Sequence, residues 1–464
     1  WSPDGRSILF VSNRSHNPDL DYDATALYTI PAAGGDMQPL TAADCRKYAP
    51  AFSPDGRWIS YLGREQTGKF YQNAVLYLLP AAGGEPRPLT TEFDLHLSSS
   101  TLNDIGGSPP LTRPTWTADG RVLLSQVTTH GDQPLYAFHL GDTVRAERLT
   151  GAGVAGQFSQ SADGRQLAFF TAHQTDPGQV ALLDRETGAV RTLTQFNEWL
   201  AAVDLGRIEE VTFPGGDGAE RQGWVLTPPG FDPAQIYPAI IEIHGGPQTQ
   251  YGRFFMHEFH FLAAQGYVVA WSNPRGSQGY GEAFAGAIHN RWGTVDYDDV
   301  MAWTDHVAAL PYVDADRMGV TGGSYGGYMT SLIIGKTDRF KAAVAQRVVS
   351  NMVSFYGSSD LNIMSEHLFG QESPPWDDWA RYWEHSPMRF IGNAVTPTLI
   401  IHSEQDLRCP HEQGEQVFVA LRRKGVDTEL VLFPEESHGL SRNGRTDRRI
   451  VRLEHMARWF ARYL

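Results

Sequence analysis

Gly322-Gly323-Ser324-Tyr325-Gly326-Gly327 is a G-x-S-x-G turn set between an apolar run, Arg317-Met318-Gly319-Val320-Thr321, and a helical pattern from Tyr328 to Lys336. A serine at such a strand-to-helix elbow is held on a strained turn with its hydroxyl raised above the sheet. Glycines at 322 and 326 leave room where a side chain would strike the neighbouring strand or helix. Glycine supplies 47 of the 464 residues, so five loosely defined positions mean little alone. The strand, turn and helix around them carry the reading.

The residues that would complete such a site follow the order of an α/β hydrolase. Upstream, Ala239-Ile240-Ile241-Glu242-Ile243 reads as a buried strand, followed by His244-Gly245-Gly246-Pro247. An oxyanion hole needs two preorganised N–H donors; the candidates are Tyr325, after the serine, and Gly246 in the glycine-rich loop. Downstream, the apolar run Thr398–Ser403 leads to Glu404-Gln405-Asp406, and the strand Thr428–Phe433 leads to Glu435-Glu436-Ser437-His438. Asp406 and His438 therefore occupy the loop positions of the acid and the base, with Glu404 as the competing acid. His402 alternates inside its strand and reads as core, and His455 as a structural or solvated helix residue.

Several motifs together resemble the prolyl oligopeptidase family, most of all its acylaminoacyl-peptidase branch. They are His244-Gly-Gly-Pro, Asn273-Pro-Arg-Gly-Ser-Gln-Gly-Tyr-Gly281, the serine elbow through Tyr328, Asp406-Leu-Arg-Cys-Pro410 and Ser437-His-Gly439. The resemblance covers roughly the last 260 residues closely. It implies a serine peptidase with an α/β-hydrolase domain capped by a β-propeller, acting on peptides rather than folded proteins. It also implies a role for Arg408 in holding a substrate carbonyl or carboxylate. The run Val349-Ser-Asn-Met352-Val-Ser-Phe355-Tyr356 is similar to the family segment lining the S1 pocket. Val349, Met352 and Phe355 would then accept a hydrophobic residue on the acyl side, though they fit a plain core as well.

The N-terminal part is repetitive in a way that agrees. Trp1-Ser-Pro-Asp-Gly-Arg6, Phe52-Ser-Pro-Asp-Gly-Arg57, Trp116-Thr-Ala-Asp-Gly-Arg121 and Ser161-Ala-Asp-Gly-Arg165 are copies of one unit. Each copy closes on a Leu-Thr pair, at Thr41, Thr90, Thr150 and Thr194. Asp-Gly before an alternating strand is a hairpin signal, and the long period with several short strands per unit reads as propeller blades. Family propellers have seven or eight blades, so four copies suggest an N-terminally truncated propeller, with a genuine four-bladed one as the alternative. The interval 90–115 reads as a loop between blades. Residues 1–200 are assigned to the propeller and 201–464 to the hydrolase, where strands alternate with helical patterns over 296–309, 411–424 and 446–463, the signature of a mostly parallel sheet covered on both faces. The irregular stretch 357–385, with Trp376 and Trp379, is expected to wall the cleft toward the propeller.

Composition restricts partners. With 38 basic against 53 acidic residues the net charge is −15, which argues against nucleic acid and anionic membranes. No run reaches transmembrane length. Cys45 and Cys409 fall in different units and make no disulfide framework, which fits a reducing, cytoplasmic setting. No metal or cofactor is expected: His257-Glu258-Phe259-His260 lacks H-E-x-x-H spacing, and no Gly-Lys-Ser/Thr follows the glycines. Arg442, Arg445, Arg448 and Arg449 read as a solvated or ion-paired face, one of which could meet a substrate carboxylate. The expected activity is hydrolysis of short peptides through an acyl-enzyme on Ser324, from the N-terminal or the C-terminal end. The rivals are a carboxylesterase, which would have no use for a propeller, and a propeller binding module with an inert hydrolase domain, which the complete triad opposes. Homo-oligomerisation is left open.

Overall fold

The computed structural model describes residues 1–65, 69–362 and 373–464. Residues up to Thr192 form four small antiparallel sheets, each with its strands in sequence order. The first has three strands, Ser7–Asn13, Thr25–Pro31 and Gln38–Pro39, and the others four. The repeated motif explains the blade geometry. Asp4, Asp55, Asp119 and Asp163 each accept from the hydroxyl two residues before and from the N–H of the arginine two residues after, an Asx-type turn that starts the next strand. The closing threonines extend each ladder: their hydroxyls accept from the N–H of Leu27, Leu76, Leu135 and Val180 at 2.9–3.0 Å.

Blades stack because side chains alternate across each strand. In Val122–Gln126, Leu123 joins the cluster of Leu62, Leu76, Trp116 and Phe138 on one side. Val122 and Leu124 join Leu135, Phe158, Leu167 and Phe169 on the other. Two-faced burial with period two is what a blade between two blades requires.

The second region is one eight-stranded sheet: β1 (Arg207–Pro214), β2 (Glu220–Thr227), β3 (Tyr237–Ile243), β4 (Val268–Ser272), β5 (Val313–Ser324), β6 (Ala342–Val348), β7 (Thr398–Ser403) and β8 (Thr428–Phe433). Its order is β1-β2-β4-β3-β5-β6-β7-β8. Pairings from β4 through β8 are parallel, while β1 and β2 add antiparallel edge strands. Alternation again sorts the core: Ile241, Val268, Ala343 and Ile400 pack on one face, Ile240, Val269, Val344 and Ile401 on the other. Helices Val295–Ala308, Glu412–Lys424 and Thr446–Tyr463 cover these faces, close to the expected ranges. The helix after the elbow starts at Tyr325, three residues earlier than its apolar pattern suggests. An α/β-hydrolase sheet thus follows propeller blades. Among the described residues no helix is long and apolar enough to cross a membrane.

The interval 90–115 does more than link blades. It holds the 3-10 turn Thr91–Phe93 and then crosses to the hydrolase, where Thr101 bridges Gln250 and Leu102 N–H donates to Gln250 O. The Gln250 amide donates to Thr101 Oγ1 and Asp132 O and accepts from Gly131 N–H. Gly131 and Gly252 meet backbone to backbone there; a Cβ on Gly252 would lie 2.0 Å from Gly131 O. Of the stretch 357–385, residues 363–372 lie outside the described residues. Trp379–Glu384 forms a short helix rather than irregular chain, with Trp376 and Trp379 exposed.

Candidate active site

Ser324 ends β5 at φ 63° and ψ −119°, a left-handed conformation costly for any residue but glycine, and the helix begins at the next residue. The flanking glycines are steric necessities. A Cβ on Gly322 would come within 2.5 Å of Ile243 O, and one on Gly326 within 2.1 Å of the same oxygen.

Tyr325 is the first residue of its helix, so its N–H has no acceptor within the helix. Its buried ring is fixed by O–H donation to Asp296 at 2.6 Å, and Asp296 also accepts from the N–H groups of Gly293 and Thr294. Gly246 comes from the loop after β3. That loop is braced by His244, whose Nδ1 lies 2.7 Å from Gly245 O and whose Nε2 lies 2.8 Å from Ser277 Oγ. Burial pushes the His244 imidazole down to about 4, so it stays neutral. Thr249 Oγ1 donates to Gly245 O at 2.6 Å. The Asn273–Gly281 motif therefore supports the glycine loop, through Ser277 and through the Asn273 side chain, which exchanges hydrogen bonds with the Tyr251 backbone.

Asp406 and His438, brought together by the loops after β7 and β8, meet at 2.8 and 3.0 Å through Nδ1. Asp406 also accepts from Arg408 N–H at 3.0 Å and Cys409 N–H at 2.8 Å. Burial alone would raise its carboxyl; the His438 hydrogen bond and charge outweigh it and hold the acid below the usual carboxylate range. Burial lowers His438, with Asp406 opposing. With Nδ1 committed to the carboxylate, Nε2 is the nitrogen left to exchange a proton. Glu404 is exposed, and the carboxylate that pairs with His438 among the described residues is Asp406. His402 is buried core, accepting from Val348 N–H at 2.8 Å.

Ser324, Tyr325, Gly246 and His438 line one cleft of about 300 Å³. Ser324 Oγ lies 3.9 Å from Cys409 Sγ, a thiol kept neutral by burial. Val349 and Phe355 are on the wall of this cleft, and Met352 is not: it packs in the core at the start of the helix Met352–Ser358. Arg408 is on the wall too. Its guanidinium pairs with Asp360 at 2.7 Å rather than with its sequence neighbours Glu404 or Glu412, and Nη1 makes no hydrogen bond with the described residues. Arg442, alone of the four C-terminal arginines singled out in the sequence, lines the cleft, and so do Leu102 and Trp292, which sequence reasoning did not assign there. Leu102 arrives from the interval taken for a blade linker, and no local pattern announces that.

The other polar residues singled out are engaged elsewhere. His260 sets its two ring nitrogens against Leu205 O and Gln174 O, and Glu258 pairs with Arg452 at 2.6 Å. His455 sits beside Arg458 on the last helix. Arg445 pairs with Asp447, Arg448 with Glu435 and Glu436, and Arg449 Nη2 donates to Asp104 O. Both cysteines are free thiols.

Residues 253–464 match the family model described as prolyl oligopeptidase family. The whole chain is 36% identical to an uncharacterized peptidase, YuxL, of Bacillus subtilis, covering 82% of it. Dipeptidyl-peptidase 5 of Aspergillus fumigatus is 28% identical over 94% of this chain, which spans 61% of that protein's length. Among solved structures, the acylaminoacyl peptidase of Pyrococcus horikoshii superposes with a TM-score of 0.85 at 25% identity, over 100% of this chain and 70% of that one. On this similarity, with the blades, the sheet order and the serine elbow in place, the chain belongs to the prolyl oligopeptidase family of serine peptidases.

Proposed function

We propose that the chain hydrolyses short peptides through an acyl-enzyme on Ser324, with Asp406 and His438 completing the triad. The observation that carries this reading is the Asp406–His438 pair at 2.8 Å, with His438 and Ser324 on the same cleft. His438 Nε2 takes the Ser324 hydroxyl proton as Oγ bonds to the scissile carbonyl carbon, and the carbonyl oxygen becomes an oxyanion held by the N–H groups of Tyr325 and Gly246. The C–N bond then breaks, and His438 gives its proton to the leaving amine. Water repeats the sequence on the ester: His438 takes a water proton, hydroxide adds, and the proton returns to Ser324 Oγ as the acid leaves. Asp406 stabilises the imidazolium without itself becoming protonated.

Val349 and Phe355 support an apolar residue on the acyl side, and Arg408 supports an anchored substrate carbonyl. Residues 1–200 form the propeller unit and 201–464 the peptidase unit, so long chains, even unfolded ones such as casein, should resist while short peptides are cut. Fluorophosphonate labelling of Ser324, followed by mass spectrometry of one peptide offered free, N-acetylated and C-amidated, tests the reading. A folded protein that neither takes the label nor cuts any form refutes it.

A further inference from the structure

Arg442 lies in the short helix Leu440–Asn443, four residues beyond His438, and borders the active-site cleft. It also borders a cavity of about 40 Å³ behind the glycine loop. Its stem runs past Gly107 of the propeller, where a Cβ would lie 3.6 Å from Arg442 Cδ. The other arginines of this C-terminal segment are satisfied: Arg445, Arg448, Arg452, Arg458 and Arg462 meet carboxylates, and Arg449 meets Asp104 O. Arg442 is partly buried, yet its guanidinium has no ion pair and no hydrogen bond among the described residues. A partly buried guanidinium whose N–H donors meet no protein acceptor can turn them to an anion in the cleft, which would take charge-assisted hydrogen bonds from it. Of the nearby charges, Arg347 is a cation; Glu258 is paired with Arg452, and Asp104 and Glu242 line the small rear cavity without a hydrogen bond to Arg442; Asp406 is already shared between His438 and two backbone N–H groups.

The side of the cleft follows from the chemistry. His438 must reach the leaving amine to protonate it, so the leaving group lies against His438, and Arg442 is carried by the same loop and helix. The apolar wall, Val349 and Phe355, comes from a different segment.

We propose that Arg442 binds the free C-terminal carboxylate of a short leaving group, so that the preferred substrates end one or two residues beyond the scissile bond. This rests on the peptidase reading above and adds a substrate class to it. The same carboxylate chemistry could come from an acidic side chain, and the test separates the two.

The probes are Ac-Phe-Ala, Ac-Phe-Ala-amide and Ac-Phe-Asp-amide, with kcat/KM read from product mass. Wild type should favour the free acid over the amide by about tenfold or more, the scale of one charge-assisted hydrogen bond. Arg442→Gln should bring that ratio to within about twofold of one, Arg442→Lys should keep part of it, and Arg408→Gln should keep it whole. A purely structural role for Arg442 would lower both rates together and leave the ratio in place, which overturns the proposal. So does an equal ratio in wild type, a measurement that needs no variant to fold. Loss of the ratio with Arg408→Gln but not Arg442→Gln gives the role to Arg408. Preference for Ac-Phe-Asp-amide with none for Ac-Phe-Ala replaces the C-terminus by an acidic side chain. In each of these cases Ser324 still labels and the amide is still cut, so the peptidase reading survives. Absence of labelling and of all cleavage removes both.

Discussion

Two groups of buried carboxylates lie on either side of the Ser324 elbow, and they differ in what their partners can do. In the cleft, Asp406 meets His438. Behind the glycine loop, Glu258 meets Arg452 at 2.6 Å, Arg452 Nη1 donates to Gln346 Oε1 at 2.6 Å, and Asp104 accepts from the N–H groups of His257 and Glu258. Burial acts on all of them, and the outcome follows the partner. Asp406 and Glu258 are held below the usual carboxylate range, by a histidine and an arginine respectively, against desolvation that would raise them. Glu242 and Asp104, which lack such a partner, are raised by burial and by the neighbouring Glu258 charge. Arginine does not release its proton, so the rear group fixes structure; histidine does, so the front group can move a proton. Equal burial does not mean equal function.

The sharpest way to break this comparison is to spoil each side separately. Asp406→Asn should lower kcat about 10⁴-fold with the fold retained, because the imidazole loses its orientation and its counter-charge. Glu404→Gln should be nearly silent, as Glu404 is exposed and the ring's Nδ1 is already held by Asp406. Ser324→Ala sets the floor, leaving roughly 10³–10⁴ over water from the oxyanion donors and binding. Steady-state peptide kinetics on mass-verified protein would check all three. If Glu404→Gln crippled turnover and Asp406→Asn spared it, the assignment of the acid would fail.

On the rear side the expected effect is on stability. Arg452→Met leaves the Glu258 charge buried and unpaired, and should cost about 3–5 kcal/mol of unfolding free energy. The fraction that remains folded should turn over near the wild-type rate. Denaturant titration alongside active-site titration with a fluorophosphonate checks this. A fully stable Arg452→Met protein with depressed kcat would mean the rear group takes part in catalysis.

How much of this could be read from the chain depends on how local the cause is. The serine, the acid and the base each follow a strand that their own neighbours specify, and the blade motif closes within a few residues, Asp55 reaching only Ser53 and Arg57. The rear group left no such trace: Asp104 meets the His257 N–H across 153 residues and Glu258 meets Arg452 across 194. No local pattern encodes either pairing, so interval 90–115 read as a plain linker. Arg408 has the acids Glu404 and Glu412 close to it in sequence, whereas its partner Asp360 is 48 residues away. Met352 shares the apolar spacing of Val349 and Phe355, and all three pack in one core; only the cleft wall, which Val349 and Phe355 reach and Met352 does not, separates them.

A smaller effect separates the two groups by pH. As the base, His438 must be neutral, and burial depresses its pKa despite Asp406, so kcat/KM should hold through the ordinary histidine range and fall only at lower pH. Below that point the loss should be about tenfold per pH unit. Glu258, held below the usual carboxylate range by Arg452, offers no such titration near neutrality. A pH–rate profile with an acid limb above the ordinary histidine value would contradict the burial argument.

The mildest test concerns Arg408, which resembles the rear arginines in having a carboxylate partner but differs in being half-exposed and on the cleft wall. As a surface pair with Asp360 it is worth under about 1 kcal/mol, so its loss should hardly move stability. Its Nη1, free of protein partners among the described residues, can still donate to a substrate carbonyl. Arg408→Ala should therefore lower kcat/KM for peptides roughly 10- to 100-fold, about 1.4 to 2.7 kcal/mol, and affect a small activated ester much less. Asp360→Asn, which releases the guanidinium without removing it, should leave peptide cleavage intact. If both substrates lost equally with Arg408→Ala, the arginine would be holding the Asp406 loop, and it would belong with Arg452 among the residues that fix structure rather than bind.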